Sequence, residues 1–115
     1  MPSPKQSALS QQTTIASGTA ETTIVSGDPN FRRNLTGFVI TTLNATAGTL
    51  TLRDSTAGTI RAVFDYPNAA AVPSTPLAIN FDPSMQQGLA NNNWTLQASA
   101  NANGYKITAA FVPEA

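Results

Sequence analysis

The 115-residue chain has no cysteine and no histidine. No disulfide framework, thiolate metal site or cysteine nucleophile is open to it, and no Ser–His or Cys–His pair can be assembled. The side chain that titrates near neutrality is missing as well. Charge is scarce: Asp, Glu, Lys and Arg make up 10% of the residues, against about 25% in ordinary domains. Six basic and six acidic residues cancel, and Arg32-Arg33 is the one like-charge doublet. A nucleic-acid binder normally carries a basic stripe or a pI above about 9, so contact with DNA or RNA is not expected. No stretch approaches the ~20 apolar residues of a membrane helix. Met1-Pro2-Ser3-Pro4-Lys5 lacks the apolar run of a signal peptide. A protein made in the cytoplasm, with no membrane partner, is the expectation.

What is present is a set of short alternating segments separated by turn residues. Residues 1–19 hold Pro, Ser, Gln, Thr and Ala, with Leu9 and Ile15 as the large apolar groups. Such a segment buries too little to offset its ordering entropy, so it reads as a flexible arm, either a disordered terminus or one that orders against a partner. From residue 20 onward strands are expected. Thr22–Ser26 comes first, closed by Gly27-Asp28-Pro29-Asn30. In Leu35–Leu43, Phe38 and Ile40 share one face, Leu35 and Val39 take the other, and Gly37 marks a bulge or a close backbone approach. Thr49–Asp54 and Thr59–Tyr66 form a hairpin, and the loop 67–76 carries three prolines. Leu77–Phe81, Trp94–Ala98 and Tyr105–Val112 follow, with Asn103-Gly104 suited to positive φ and Pro113 as a stop. No window shows a helical period.

Seven to eight antiparallel strands with turns every eight to twelve residues or so argue an all-β fold. The reading is a single β-sandwich or jelly roll over 20–115, preceded by the arm. Its expected core is Leu50, Leu52, Ile60, Phe64, Leu77, Ile79, Phe81, Trp94, Leu96, Ile107 and Phe111.

Reactive chemistry finds little support. The six carboxylates, Glu21, Asp28, Asp54, Asp65, Asp82 and Glu114, are scattered. A glycosidase needs two across one bond; Asp65 and Asp82 could approach one another across strands, but nothing in the sequence requires it. Asp54 and Asp82 read as turn residues. Calcium needs six to eight oxygens from a clustered loop, and neither Asp28 with Asn30 nor Asp54 with Ser55 and Thr56 supplies one. No enzyme, metal or cofactor is expected. Trp94 shares its phase with Leu96 and Ala98 and points inward rather than toward a sugar ring. Partner contact falls to Leu9 and Ile15 on the arm and to Phe31, Arg32 and Arg33. There an aromatic anchor sits beside two groups that bond carboxylates, and the alternative is a solvated loop with one core aromatic.

From about Gly48 to the end the chain resembles small phage head-decoration (cement) proteins of the jelly-roll type. The likeness is carried by Leu50-Thr51-Leu52-Arg53-Asp54 leading into Gly58-Thr59-Ile60, and by the Pro-bearing loop after Tyr66. It continues through Leu77-Ala78-Ile79-Asn80-Phe81, Gly88-Leu89, Asn93-Trp94-Thr95-Leu96 and the Gly104-Tyr105 strand. The resemblance implies a non-enzymatic virion protein on the outer surface of an icosahedral shell. It would bridge copies of the major capsid protein and associate with itself as a homotrimer or homodimer. Deleting residues 1–19 would then leave a folded domain that binds shells poorly. A carbohydrate- or receptor-binding module of a tail tip, and a head–tail or tail structural protein, share the same fold and low charge.

Overall fold

Runs of Thr, Val, Ile and aromatic residues broken by Gly, Pro and Asn fold into eight strands, because β-branched side chains fit a pleated, half-buried surface. The structure, a computed structural model, describes residues 9–42, 48–66, 77–99 and 104–114. Its strands are β1 (Leu9–Ile15), β2 (Thr22–Val25), β3 (Arg32–Thr42), β4 (Gly48–Asp54), β5 (Thr59–Tyr66), β6 (Leu77–Met85), β7 (Trp94–Ala98) and β8 (Tyr105–Glu114). They form two four-stranded antiparallel sheets, ordered β1-β8-β3-β6 and β2-β7-β4-β5. The pairs β1·β8, β2·β7, β3·β6 and β4·β5 nest inside one another like one long hairpin rolled up. The added pairs β3·β8 and β4·β7 complete the two sheets of a jelly roll. The turn at 43–47, the proline loop 67–76, the turn residues 101–103 and the side chains of Tyr66 and Leu77 lie outside the described residues.

The segment expected as an arm supplies a strand. Residues 9–15 run along β8 in unbroken register, from Leu9 opposite Phe111 to Ile15 opposite Tyr105. Main-chain ladder bonds need no apolar sequence, so a Gln/Thr segment can take an open sheet edge. Ile15 turns inward and is buried in the core.

Two bulges decide which residues are inside. In β3, Leu35 opposes Phe111 and Gly37 opposes Ala110, which leaves Thr36 as an extra residue. Side chains alternate with period two, so one extra residue swaps the faces beyond it. Leu35 therefore joins Phe38 and Ile40 in the core, while Val39 is exposed. In β5, Leu52 opposes Ala62 and Arg53 opposes Ile60, so Arg61 is the extra residue. Ile60, expected in the core, is 54% exposed for this reason. The other described members of the expected core are buried or packed against it. Trp94, at the start of β7, is fully buried.

Pro113 does not stop β8, which continues to Glu114. Its partner Arg33 donates its backbone N–H to Gln87 Oε1 (2.8 Å) and accepts Trp94 Nε1–H at its carbonyl (2.6 Å). Arg33 thus turns its backbone groups away from β8. The missing proline N–H faces the β1 side, where no described residue lies opposite Pro113.

Side chains close the two flanks. Between β5 and β6, Phe64 meets Phe38 edge-on at 5.7 Å, and Phe81 completes a triangle with both. Each such contact adds about 0.5–1.5 kcal/mol beyond burial. Between β1 and β2, Gln11 Oε1 accepts the Ser26 N–H at 3.0 Å.

Gly37 is required by close approach: a Cβ there would lie 2.5 Å from the Ile79 carbonyl oxygen. Gly37→Ala is expected to cost about 1–3 kcal/mol in urea unfolding. Removing residues 1–19 takes away β1 and Ile15. It should lower the melting temperature by at least about 5 °C, contrary to a dispensable arm. An unchanged melting curve would exclude β1 as part of the folded domain.

Candidate functional site

Three loops meet at one end of the sandwich: 26–31 between β2 and β3, 55–58 between β4 and β5, and 86–93 between β6 and β7. The first is shaped by its own sequence. Asp28 Oδ1 accepts the Asn30 N–H at 2.8 Å, with Pro29 between them, and Asp28 bridges to Phe31.

Loop 86–93 ties the other two together. Asn91 N–H donates to the Asp28 carbonyl (2.7 Å), and Gly27 N–H donates to Asn93 Oδ1 (2.7 Å). Ser55 N–H donates to the Asn93 carbonyl (2.6 Å). Asp54, nearly buried, accepts Gly88 N–H (2.6 Å) and Asn92 Nδ2 (3.2 Å) and pairs with Arg61 Nη1 (3.2 Å). The bulge that exposes Ile60 also aims Arg61 here, its guanidinium 5.6 Å from the Trp94 ring centroid. Gln87, 1% exposed, accepts Arg33 N–H and donates to the Asn92 carbonyl, while its own N–H donates to Asn34 Oδ1 (3.1 Å). Glu21 accepts the Ala57 N–H (3.0 Å) and the Thr95 hydroxyl. Among the described residues no buried side-chain nitrogen or oxygen lacks a partner.

The structure divides the candidate partner-contact residues. Ile15 is core. Arg33 is held within the fold: it donates Nη1 to the Ser26 carbonyl (2.9 Å), pairs with Asp28 (3.5 Å) and lies 4.9 Å over the Phe111 ring. Phe31, 41% exposed, and Arg32 stay at the surface beside each other, as does Leu9 at the start of β1. Arg32 has only a loose surface pair, 3.7 Å from Glu114, of a kind contributing about 0–1 kcal/mol. Leu89, 66% exposed on loop 86–93, joins this end. Sequence reasoning did not single it out, because a lone Leu in an irregular loop looks like any other. The signal was the absence of alternating neighbours to bury it.

The carboxylates described here hold loops. Asp54, Glu21, Asp28 and Glu114 each bond backbone or side-chain donors, and Asp65 and Asp82 lie on different sheets. On the outer face of the β1-β8-β3-β6 sheet a shallow depression of about 420 Å³ is lined by Gln12, Thr14, Val39, Thr41, Lys106 and Thr108, among others. None of its lining residues is aromatic, so it offers no ring for a sugar to stack on. No family model matches the chain, and no curated protein or solved structure matches it. The likeness to head-decoration proteins accordingly rests on the residues that carry it in the sequence.

Gln87→Met keeps the volume and strands the buried Arg33 N–H. A cost of roughly 1–3 kcal/mol is expected, measured by urea unfolding. A neutral change would show that water replaces the side chain.

Proposed function

We propose that this protein is a structural virion component that binds the outer surface of an assembled capsid and braces it. It does so by bridging copies of the major capsid protein as a small homo-oligomer. One observation carries the reading: Phe31 and Leu89, both well exposed, project from two loops fixed to each other by hydrogen bonds. Leu9 and Arg32 extend the same end. Loops already held in place lose little freedom on docking, which favours affinity from a small contact. Phe31 and Leu89 supply the apolar anchors and Arg32 a group for carboxylates.

Attachment of this kind strengthens a shell by mass action. A protein that binds the lattice and not free subunits lowers the free energy of the lattice alone. Several weak contacts from one oligomer multiply into firm attachment. A sparsely charged surface adds little repulsion between neighbours crowded on a shell.

Quantitative mass spectrometry of purified virus from the protein's source tests the reading. A copy number comparable with that of the major capsid protein is the expected result. A handful of copies per particle would overturn it in favour of a tail or vertex location. The double variant Phe31→Ala/Leu89→Ala should weaken shell binding by about tenfold or more. Its unfolding free energy should stay within about 0.5 kcal/mol of the parent.

A further inference from the structure

The outer face of the β2-β7-β4-β5 sheet carries an apolar centre between two charges of opposite sign. On β5, Ile60 and Val63 are 54% and 57% exposed, and Asp65 is exposed beyond them. Opposite these three on β4 stand Arg53, Thr51 and Thr49. Leu50, Leu52 and Asp54 are buried, so alternation turns Arg53, Thr51 and Thr49 outward. Arg53 accordingly donates Nη1 to Gln97 Oε1 at 2.6 Å, and Gln97 lies between the buried Leu96 and Ala98. From the loop end the face runs Arg53 beside Ile60, Thr51 beside Val63, then Thr49 beside Asp65. The charged positions stand about 13 Å apart along the strands, four residues at ~3.3 Å each. Among the described residues neither Arg53 nor Asp65 joins an ion pair.

We infer that this face packs on the same face of a second copy, about a two-fold axis passing over Thr51 and Val63. Turning the patch over about that axis exchanges its ends. Arg53 of each copy then meets Asp65 of the other, and Ile60 and Val63 of both copies close over the centre. Any other partner would have to present an acid, an apolar centre and a base at this spacing. The patch presents that set itself, which is the self-complementarity an isologous contact requires. A two-fold axis along the strands would instead set Arg53 against Arg53 and Asp65 against Asp65, and like charges exclude it. Aligned sheets pack about 10 Å apart, a gap that the long Arg53 side chain reaches across. The edge of β5 is not the contact, because its bulge and the inward-turned Arg61 guard it. A contact of this symmetry closes at two copies, which chooses a homodimer over a homotrimer. It also sends the two loop ends in opposite directions, so one dimer reaches two attachment points. The inference rests on the self-association half of the proposed function, and shell attachment is a separate measurement.

Charge reversal tests the contact. Arg53→Glu sets two acids against each other at both ends of the dimer, and Asp65→Arg sets two bases. An equimolar mixture of the two variants pairs acid with base at both ends. Sedimentation from about 1 µM to 1 mM should show a reversible dimer for the parent. Each single variant should raise the dimer dissociation constant at least about tenfold, with an unchanged circular dichroism spectrum. The mixture should return it to within about threefold of the parent. Val63→Lys puts a charge at the apolar centre and should also be a monomer. With Asp65→Arg it decides the matter if Arg53→Glu loses its fold along with the Gln97 bond. Folded single variants that dimerise like the parent, or a folded mixture that does not recover, overturn the face contact and leave self-association standing. A parent that is monomeric throughout overturns both, and leaves shell attachment to the copy-number measurement.

Discussion

The indole N–H of Trp94 bonds the Arg33 carbonyl across the two sheets, and much of the loop end depends on that contact. Trp94 belongs to β7 of one sheet and Arg33 to β3 of the other. A fully buried donor must find a partner or incur its desolvation cost, so the bond constrains how the sheets face one another. Arg33 then has its N–H on Gln87, its side chain on Ser26, Asp28 and Phe111, and its pairing with Pro113 free of ladder bonds. From Gln87 and Asp54 the network spreads to all three loops. The loop end is thereby a consequence of core packing, and its exposed apolar side chains stand on a fixed base.

Two single-residue insertions into the ladder, Thr36 and Arg61, shape the surfaces. The first draws Leu35 into the core and leaves Val39 on the outer face. The second sends Ile60 out and Arg61 toward Trp94 and Asp54. One bulge thus completes the polar network under the loops and leaves Ile60 exposed on β5. The remainder of the molecule is sparing in charge, and Glu21, Asp28, Arg33 and Asp54 are occupied in holding loops.

The loop end and the β4–β5 outer face adjoin through loop 55–58 and share the bulge at Arg61. The outer face of the β1-β8-β3-β6 sheet is a third surface, of Thr, Gln and a single Lys, with no aromatic residue among those lining its depression.

Strand existence, the all-β class and the inward phase of Trp94, Leu96 and Ala98 were legible in the sequence, because alternation and turn residues act over a few neighbours. The close approach at Gly37 and the positive φ of Gly104 were legible for the same reason. Phase across a bulge was not. Gly37 marked the bulge in β3, but an extra residue is defined by the partner strand, so the phase of Leu35 stayed hidden, and nothing local marks Arg61. The place of residues 9–15 was likewise decided by the open edge of β8, nearly one hundred positions away in register. Among the proposed contact residues, Phe31, Arg32 and Leu9 stayed at the surface, while Ile15 and Arg33 were taken by the fold. Composition sets how much a segment can bury alone; tertiary structure sets what lies opposite it, and backbone pairing is indifferent to side-chain type.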